Sequence, residues 1–256
     1  MIEAIGRRGA PLLVAAALLA AQPALAQEQT KAAEFDPAQE SAIRKIVRDY
    51  LVAHPEVVIE ALQVYQTREK AAAAERKREA LKAHGSALNG HPDDPVIGNP
   101  EGDVVVVEFF DYRCPYCTKV ADILRQTVQA DGNIRVVMKE FPILGPDSQF
   151  AARAALASAR QGLYEPFHFA LMTAKGKLDQ TAVMTVARQV GLDVERLKSD
   201  MQSPEIDAIL RRNFQLAEIL EITGTPAFVI GDEIVPGALD MQTLKTKVAE
   251  ARSKSS

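Results

Sequence analysis

The sequence is poor in cysteine, in tryptophan, in positive charge and in long apolar runs. Two cysteines among 256 residues are too few for a disulfide-dense scaffold. After residue 26, no apolar run approaches the roughly 20 residues of a membrane-spanning helix, which excludes a polytopic membrane protein. With 30 basic and 34 acidic residues, the chain lacks the basic surface of a general nucleic-acid binder. The hydrophobic fraction of 47% and the charged fraction of 25% are those of a globular domain with a sizeable core.

Residues 1–26 have the pattern of a secretory signal peptide. Arg7 and Arg8 form a short basic start, and an apolar run from Pro11 to Ala21 follows. Residues 24–26 then give the small-x-small pattern that signal peptidase cleaves. The alternative is a membrane anchor, but this run is too short to cross roughly 30 Å of hydrocarbon. We therefore expect a mature chain that works in the periplasm, an oxidising compartment.

Residues 27–90 carry a helical periodicity and then turn signals. From Gln39 apolar residues recur at the spacing of one helix face, and after Pro55 a second helix repeats this pattern. The apolar positions are Ile43, Ile46, Val47, Tyr50 and Leu51 in the first helix, and Val57, Val58, Ala61, Leu62 and Tyr65 in the second. Residues 67–83 are rich in helix formers without an apolar stripe. Turn residues between 85 and 95 predict a linker.

The two helices of residues 39–66 have an apolar face and no partner within their own segment. Two short helices cannot form a hydrophobic core alone. Because the polar helix of residues 67–83 is not expected to pack into a core, it holds them away from the rest of the chain. We expect residues 39–66 to associate with copies of themselves, which makes a homo-oligomer the predicted state. The alternative is a helical decoration folded back on the main domain.

Residues 91–256 mix strand and helix patterns, which predicts an α/β domain. A β-branched run, a helix and a second apolar run form a unit compatible with a right-handed parallel crossover. Glycine and aspartate at positions 231–232 are typical of a hairpin turn between two later strands. The predicted elements are strands at 104–110, 134–140, 227–230 and 233–235, a largely helical segment at about 148–221 and a last helix at about 240–251.

Both cysteines lie in one motif, Cys114-Pro115-Tyr116-Cys117. The motif follows a predicted buried strand and opens a helix, so Cys114 is expected at the helix N-terminus, where unpaired N–H groups favour a thiolate. The thiolate is the attacking species in disulfide exchange, and Cys117, one turn later, would act as the resolving thiol. Pro115 suits the first helical turn. Together with Tyr116 it is expected to set the redox poise of the pair.

Three other interpretations of the cysteine pair are weaker. A structural disulfide over so short a loop would constrain the unfolded chain little. A tetrahedral zinc site would need two more ligands, and the histidines show no pairing at ligand spacing. The histidines are His54, His84, His91 and His168. Two inert core cysteines are the third possibility. We therefore predict redox catalysis without a metal, and His168 is expected to be an ordinary residue on a helix face.

Three segments of the chain resemble a known family. They are Phe-Phe-Asp-Tyr-Arg-Cys-Pro-Tyr-Cys at 109–117, Phe-Pro-Ile-Leu-Gly-Pro-Asp-Ser at 141–148, and Gly-Thr-Pro at 224–226. Together they resemble the DsbA-type thiol–disulfide oxidoreductases of the thioredoxin superfamily. The amphipathic extension is similar to that of the Com1/ScsC-like branch. The resemblance covers about residues 40–250 and implies a thioredoxin fold with an inserted α-helical domain, and no cofactor other than the redox-active Cys114–Cys117 disulfide.

The resemblance also implies roles for three further residues. Pro226 matches a cis-proline that faces the disulfide, and Thr225 would then offer backbone groups to an extended client, as an added strand does. Glu108 matches a buried acid beneath the disulfide, where it would exchange a proton with Cys117. The alternative for Glu108 is a partly exposed residue at the end of a strand.

The motif permits more than one function. Because an oligomer would hold several sites around a client, we expect a disulfide isomerase or reductase acting on cysteine-containing secreted proteins, reset by a membrane redox partner. The first alternative is a disulfide oxidase. An alternative of another class is a binding protein, either a periplasmic holdase or a carrier of Cu(I) on Cys114 and Cys117.

Overall fold

The structure is a computed structural model that describes residues 35–255. The predicted signal peptide, residues 1–26, lies outside these residues. Contacts within the chain define two compact units, one up to Leu62 and one from Gln63 onward. The predicted domain boundary near residue 90 stays a prediction, and each unit is described by itself.

The first unit contains helix α1, Pro37–Ala53, and the start of helix α2, Glu56–Ala83. α1 begins two residues before the predicted start because Asp36 caps it. The Asp36 carboxylate accepts hydrogen bonds from the backbone N–H groups of Ala38 and Gln39, and the Gln39 side chain accepts one from the Asp36 N–H. α1 has no buried residue. The large apolar side chains that this unit exposes are Phe35, Ile43, Ile46, Val47, Tyr50, Val52, Val58, Ile59 and Leu62.

The second unit is built on a five-stranded mixed sheet with the strand order β1-β3-β2-β4-β5. β2 and β3 are parallel, and the other three pairs are antiparallel. The strands are β1 Val96–Gly98, β2 Val104–Phe110, β3 Ile134–Glu140, β4 Ala227–Ile230 and β5 Glu233–Pro236. The four predicted strands are confirmed, whereas the three-residue β1 is too short to show a pattern.

Seven further helices surround this sheet, and the five between β3 and β4 form the predicted insertion. They are α4 Pro115–Asp131, α5 Pro146–Ser158, α6 Tyr164–Met172, α7 Gln180–Gln189, α8 Val194–Asp200, α9 Pro204–Ile219 and α10 Met241–Ser255. A 3-10 turn at Ala159–Gln161 continues α5. Within residues 35–255, none of the helices is both long and apolar enough to cross a membrane.

The two faces of the sheet bury different partners. Alternate residues of β2 and β3, such as Val106 and Met138, pack with α4, α10 and the inserted helices. Residues of the other parity, such as Val107 and Val137, pack with the C-terminal half of α9 and with the end of α2. The Cys114–Cys117 motif follows the end of β2, and α4, which begins within the motif, packs on the first of these faces.

The end of the polar helix corrects one prediction. Residues 67–83 were expected to stay out of any core, and 85–95 to form a linker. Instead Leu81 of α2 is buried on the second face of the sheet, and a short helix, α3 at Gly85–Asn89, buries Leu88 beside it. A single leucine on a polar helix gives no stripe, which is why periodicity did not reveal the contact.

Candidate active site

Cys114 lies at the junction between β2 and α4. It is the N-cap of α4 with an extended backbone, and Pro115 is the first helical residue. Cys114 is 4% exposed and Cys117, one turn along the helix, is fully buried. Both thiols are free in the structure. The outer sulfur thus belongs to the N-cap residue of a helix, as the motif predicted.

A buried aspartate holds the loop that presents Cys114. The Asp111 carboxylate accepts hydrogen bonds from the Arg113 N–H at 2.8 Å, the Leu144 N–H at 2.9 Å and the Ser148 hydroxyl at 2.7 Å. Its carbonyl accepts the Cys114 N–H at 3.0 Å. Asp111 therefore ties the cysteine loop to the segment after β3. Asp111 stands within the 109–117 segment, but the sequence alone gives no indication of this role.

The loop before β4 brings Thr225 and Pro226 to the nucleophile. The Thr225–Pro226 peptide bond is cis, as the resemblance implied. The Cys114 thiol donates a hydrogen bond to the Thr225 carbonyl at 3.2 Å. The outer sulfur and the backbone expected to hold a client are therefore in direct contact, although 111 residues separate them in the sequence.

Glu108 lies in the interior on the same face of the sheet as Cys117. It is 1% exposed, so the alternative of a partly exposed strand end is wrong. Burial raises the pKa of Glu108 to about 8. Burial also raises the pKa of the Cys117 thiol, and the charge of Glu108 adds to this increase. Both groups therefore favour their protonated, uncharged forms more strongly than they would in water.

The dipeptide between the cysteines faces outward. Pro115 and Tyr116 are exposed, and the Lys119 ammonium lies 5.5 Å from the centre of the Tyr116 ring. Ile143 and Leu144, in the segment tied to Asp111, are also exposed. These side chains form a partly apolar surface beside an almost fully buried redox pair.

A buried polar network under the loop was not predicted. The Tyr112 hydroxyl lies 3.0 Å from Glu140 Oε1 and 3.0 Å from His168 Nδ1, and the Tyr164 hydroxyl donates to the same Glu140 oxygen at 3.0 Å. His168 is on a helix face, as expected, but that face is buried, and burial lowers the pKa of its imidazole to about 3. Because these partners lie 24 to 56 residues apart, no local sequence pattern signals them.

Two grooves open at this end of the sheet. One, of about 380 Å³, is lined by the loop from Leu220 to Ala227, by β5 and by Lys77 of α2. The other, of about 810 Å³, lies between Phe141 and α9, and Ile222 lines both. Within the described part of the chain, no group of three or more His, Cys, Asp and Glu side chains is arranged to hold a metal ion.

Two family models match the chain. Residues 105–249 match the DSBA-like thioredoxin domain, and residues 39–72 match the N-terminal domain of the copper resistance protein ScsC. The first match contains every candidate site residue, from Glu108 to Pro226. The second includes the exposed apolar positions of α1 and of the first half of α2.

Solved structures agree with the family models. A thioredoxin-like oxidoreductase from Silicibacter pomeroyi DSS-3 is 50% identical, covers 66% of this chain and 97% of its own, and superimposes with a TM-score of 0.65. A linker-deletion variant of Proteus mirabilis ScsC is 30% identical, covers 88% of this chain and 100% of its own, and gives a TM-score of 0.67.

Curated relatives include larger proteins. The Na⁺/H⁺ antiporter NhaA 1 of Salinispora arenicola is 29% identical over 163 residues, which are 62% of this chain and 25% of the antiporter. The chain thus spans about a quarter of the length of such relatives. The thioredoxin-domain match covers more than half of the chain and the predicted fold is confirmed. The chain therefore belongs to the DsbA-like thioredoxin-domain family of thiol–disulfide oxidoreductases, with an ScsC-type N-terminal segment.

Proposed function

We propose that the protein exchanges thiols and disulfides on secreted proteins in the periplasm, and that it works mainly as a disulfide isomerase or reductase. The contact between the Cys114 sulfur and the Thr225 carbonyl carries the exchange activity, because it joins the nucleophile to a backbone that an extended client can pair with. The exposed apolar side chains of α1 and α2 support the isomerase direction.

In the oxidising direction the Cys114–Cys117 disulfide is the reactant. A client thiolate attacks the Cys114 sulfur, the bond between the two cysteines breaks, and its electron pair goes to Cys117 as a thiolate. Glu108 supplies the proton that neutralises this buried thiolate. A second client thiolate then attacks the client sulfur of the mixed disulfide and releases the oxidised client and the Cys114 thiolate.

In the reducing direction the dithiol is the reactant. The Cys114 thiolate attacks a non-native disulfide of the client and forms a mixed disulfide, and one client sulfur leaves as a thiolate. If another client thiol resolves the intermediate, the client is isomerised and the dithiol returns. If Cys117 resolves it, the client is reduced and the enzyme is oxidised, and a membrane redox partner would then restore the dithiol.

The N-terminal helices favour isomerisation over simple oxidation. Apolar side chains that stay in water cost free energy, and a stripe of them at helical spacing is typical of a surface that pairs with another helix. Self-association through residues 39–66 would place several Cys114 sites around one misfolded client, which raises the local concentration of thiols during repeated exchange.

The deciding experiment compares two ribonuclease assays in glutathione buffer, reactivation of the scrambled enzyme and oxidation of the reduced enzyme. We expect strong reactivation by the mature protein. The apolar stripe of α1 consists of Ile43, Ile46, Val47, Tyr50 and Leu51. Ile46→Glu, on this stripe, is expected to reduce reactivation and to leave exchange on a small dithiol peptide unchanged. Val52→Glu is the matched control, because helical spacing puts Val52 on the opposite side of α1.

Each other outcome favours a different function. Rapid oxidation without reactivation would establish the oxidase, and reactivation that Ile46→Glu leaves unchanged would remove the role of the stripe. Suppression of client aggregation that survives Cys114→Ser, with no activity in either assay, would favour the holdase.

A further inference from the structure

Two buried carboxyl groups share one face of the sheet beneath the cysteine pair. Glu108 is 1% exposed and Glu140 is fully buried. Glu108 of β2 is opposite Met138 of β3, so Glu140 is its neighbour two positions further along the parallel strand and points to the same side. Residues offset in this way lie roughly 7–8 Å apart, a distance that two glutamate side chains can largely bridge.

Each carboxyl has one oxygen without a hydrogen-bond partner in the described part of the chain. These are Glu108 Oε1 and Glu140 Oε2. The other Glu140 oxygen is fully used, since it accepts from Tyr112 and Tyr164. Buried polar atoms are rarely left unpaired, because each such atom costs about 1–3 kcal/mol. A proton held between the carboxyls, directly or through one bound water, would satisfy both oxygens.

The surroundings of the two carboxyls favour a single negative charge. β4 places the apolar Phe228 beside Glu108. Among the described residues, the titratable groups that act on the pair are a thiol, an acid, phenols and a neutral imidazole. They are Cys117 of α4, Asp111 and Tyr112 of the loop, and Tyr164 and His168 of α6. Two carboxylates at this separation among such groups repel each other, so ionisation of one opposes ionisation of the other.

We propose that Glu108 and Glu140 form a buried acid pair that shares one proton, and that Glu140 is a positioning residue for the proton that Glu108 exchanges with Cys117. The second clause rests on the proposed exchange activity, whereas the acid pair itself does not. Tyr112 is two residues before Cys114, so its hydrogen bond also ties Glu140 to the loop that presents the nucleophile.

The pair completes the proton balance of the exchange step. When a client thiolate opens the Cys114–Cys117 disulfide, the leaving Cys117 thiolate takes the proton from Glu108, and the pair then carries an additional negative charge. A proton from solvent restores the pair. In the reverse step, Glu108 as carboxylate accepts the Cys117 proton, the Cys117 thiolate attacks the Cys114 sulfur of the mixed disulfide, and the client leaves as a thiolate.

The direction of the pKa shifts agrees with the geometry. Burial raises the pKa of Glu108 to about 8, and burial raises the pKa of Glu140 as well. The charge of Glu108 acts on Glu140 in the same direction, and the hydroxyls of Tyr164 and Tyr112 act in the opposite direction. Two acids that share a proton titrate as a coupled system rather than as two separate groups.

Infrared titration of the protonated carboxyl band tests the pair without any assay of activity. Above about pH 6 the exposed carboxyls are ionised, so the remaining band reports buried acids. We expect two midpoints in the wild type and a single midpoint in each of Glu108→Gln and Glu140→Gln. The higher wild-type midpoint should lie about one pH unit above both single midpoints, which is a tenfold difference in proton affinity. Wild-type midpoints that coincide with those of the two variants would mean independent acids and would overturn the proposal.

A second variant and a control keep the test decisive. Tyr164→Phe removes one donor to Glu140 and is expected to raise the midpoints of the pair, whereas Glu195→Gln, on the exposed face of α8, is expected to change nothing. If Glu140→Gln does not fold, unchanged midpoints in Tyr164→Phe would count against the pair.

The pH profile of mixed-disulfide resolution by Cys117 tests the role of Glu140 in exchange. We expect Glu140→Gln to move this profile to lower pH by the same factor as the infrared midpoint. A coupled titration with an unmoved profile would overturn this role. A wild type without exchange would count against the proposed function and would leave the infrared result on the pair standing.

Discussion

The two units of the chain each contain side chains in an unfavourable environment, but of opposite kinds. The first unit exposes apolar side chains to water, and the second unit buries charged ones. In the first unit, Ile46 and Tyr50 of α1 are 67% and 54% exposed, and the helix buries nothing. In the second unit, Lys139 and Glu140 are fully buried at the end of β3. An apolar side chain in water and a charged one away from water are both unfavourable. Each needs an offsetting contact.

The second unit supplies these contacts internally. Lys139 forms an ion pair with Asp94 and donates to the Ala87 carbonyl at 2.7 Å, and Arg212 binds the other Asp94 oxygen at 3.2 Å. The first unit buries none of α1 within its own residues. The comparison shows that the second unit offsets the buried charge of Lys139 within the fold, whereas the exposed apolar residues of α1 have no offsetting contact within the first unit.

Loss of the Cys114 sulfur should produce the largest effect on activity, and it should affect the second unit alone. We expect Cys114→Ser to abolish turnover of a dithiol peptide. Cys114 carries the nucleophile that is hydrogen-bonded to the Thr225 carbonyl, where the client is expected to bind. Oligomeric state by light scattering should not change. Cys117→Ser is the companion variant, which should accumulate mixed disulfides on a non-reducing gel since the resolving thiol is lost. Residual turnover in Cys114→Ser would contradict the assignment.

Removal of the buried ammonium should break the second unit. Lys139→Ala leaves the Asp94 carboxylate buried without its ion-pair partner, which is expected to cost about 3–5 kcal/mol of unfolding free energy in urea. Lys198→Ala, on an exposed helix, is the control within about 0.5 kcal/mol. Equal stability of Lys139→Ala and the control would mean that the ion pair adds nothing.

Replacement of Glu108 should change how stability depends on pH. Burial raises its pKa from 4.5 to about 8, so the folded chain holds this proton more tightly than the unfolded chain does. The contribution of Glu108 to stability is therefore greatest below pH 4.5 and is lost as the pH rises to 8. We expect Glu108→Gln to gain roughly 2–4 kcal/mol relative to wild type between these limits.

The difference between Glu108→Gln and wild type excludes the contribution of His168, which changes stability with pH in the opposite direction. His168, with its pKa lowered to about 3, makes stability rise with pH between 3 and 6.5 in both proteins. Urea titrations at several pH values measure the difference directly. A constant difference between the two proteins from pH 4 to pH 8 would show that Glu108 keeps an ordinary affinity for its proton.

The smallest effect on the stability of a single chain is expected in the first unit. Ile46→Glu and Val52→Glu both replace an exposed residue of α1, so each should change the unfolding free energy of the second unit by less than about 0.5 kcal/mol. Only Ile46→Glu is expected to lower the mass measured by light scattering. Equal masses for both variants would show that the apolar face of α1 is not a self-association surface. The first unit, like the second, would then need no partner chain.

Local patterns predicted the parts of the fold whose contacts are close in sequence. The valine run of β2, the helix that begins after Cys114 and the hairpin at 231–232 follow from residues next to one another. The cis bond at Pro226 came from the resemblance alone. The contacts of Glu140 with Tyr112 and Tyr164 join distant segments, so no periodicity could reveal that this strand-end acid is buried and paired.

The contrast between Tyr116 and Cys117 has a consequence for how such a protein diversifies. Tyr116 is 59% exposed, whereas Cys117 beside it is fully enclosed with Glu108. Substitutions at the outer position change the surface that meets a client and leave the enclosed acid and thiol in place. The outer dipeptide can therefore change the client surface and the redox poise of the pair while the buried proton supply stays the same.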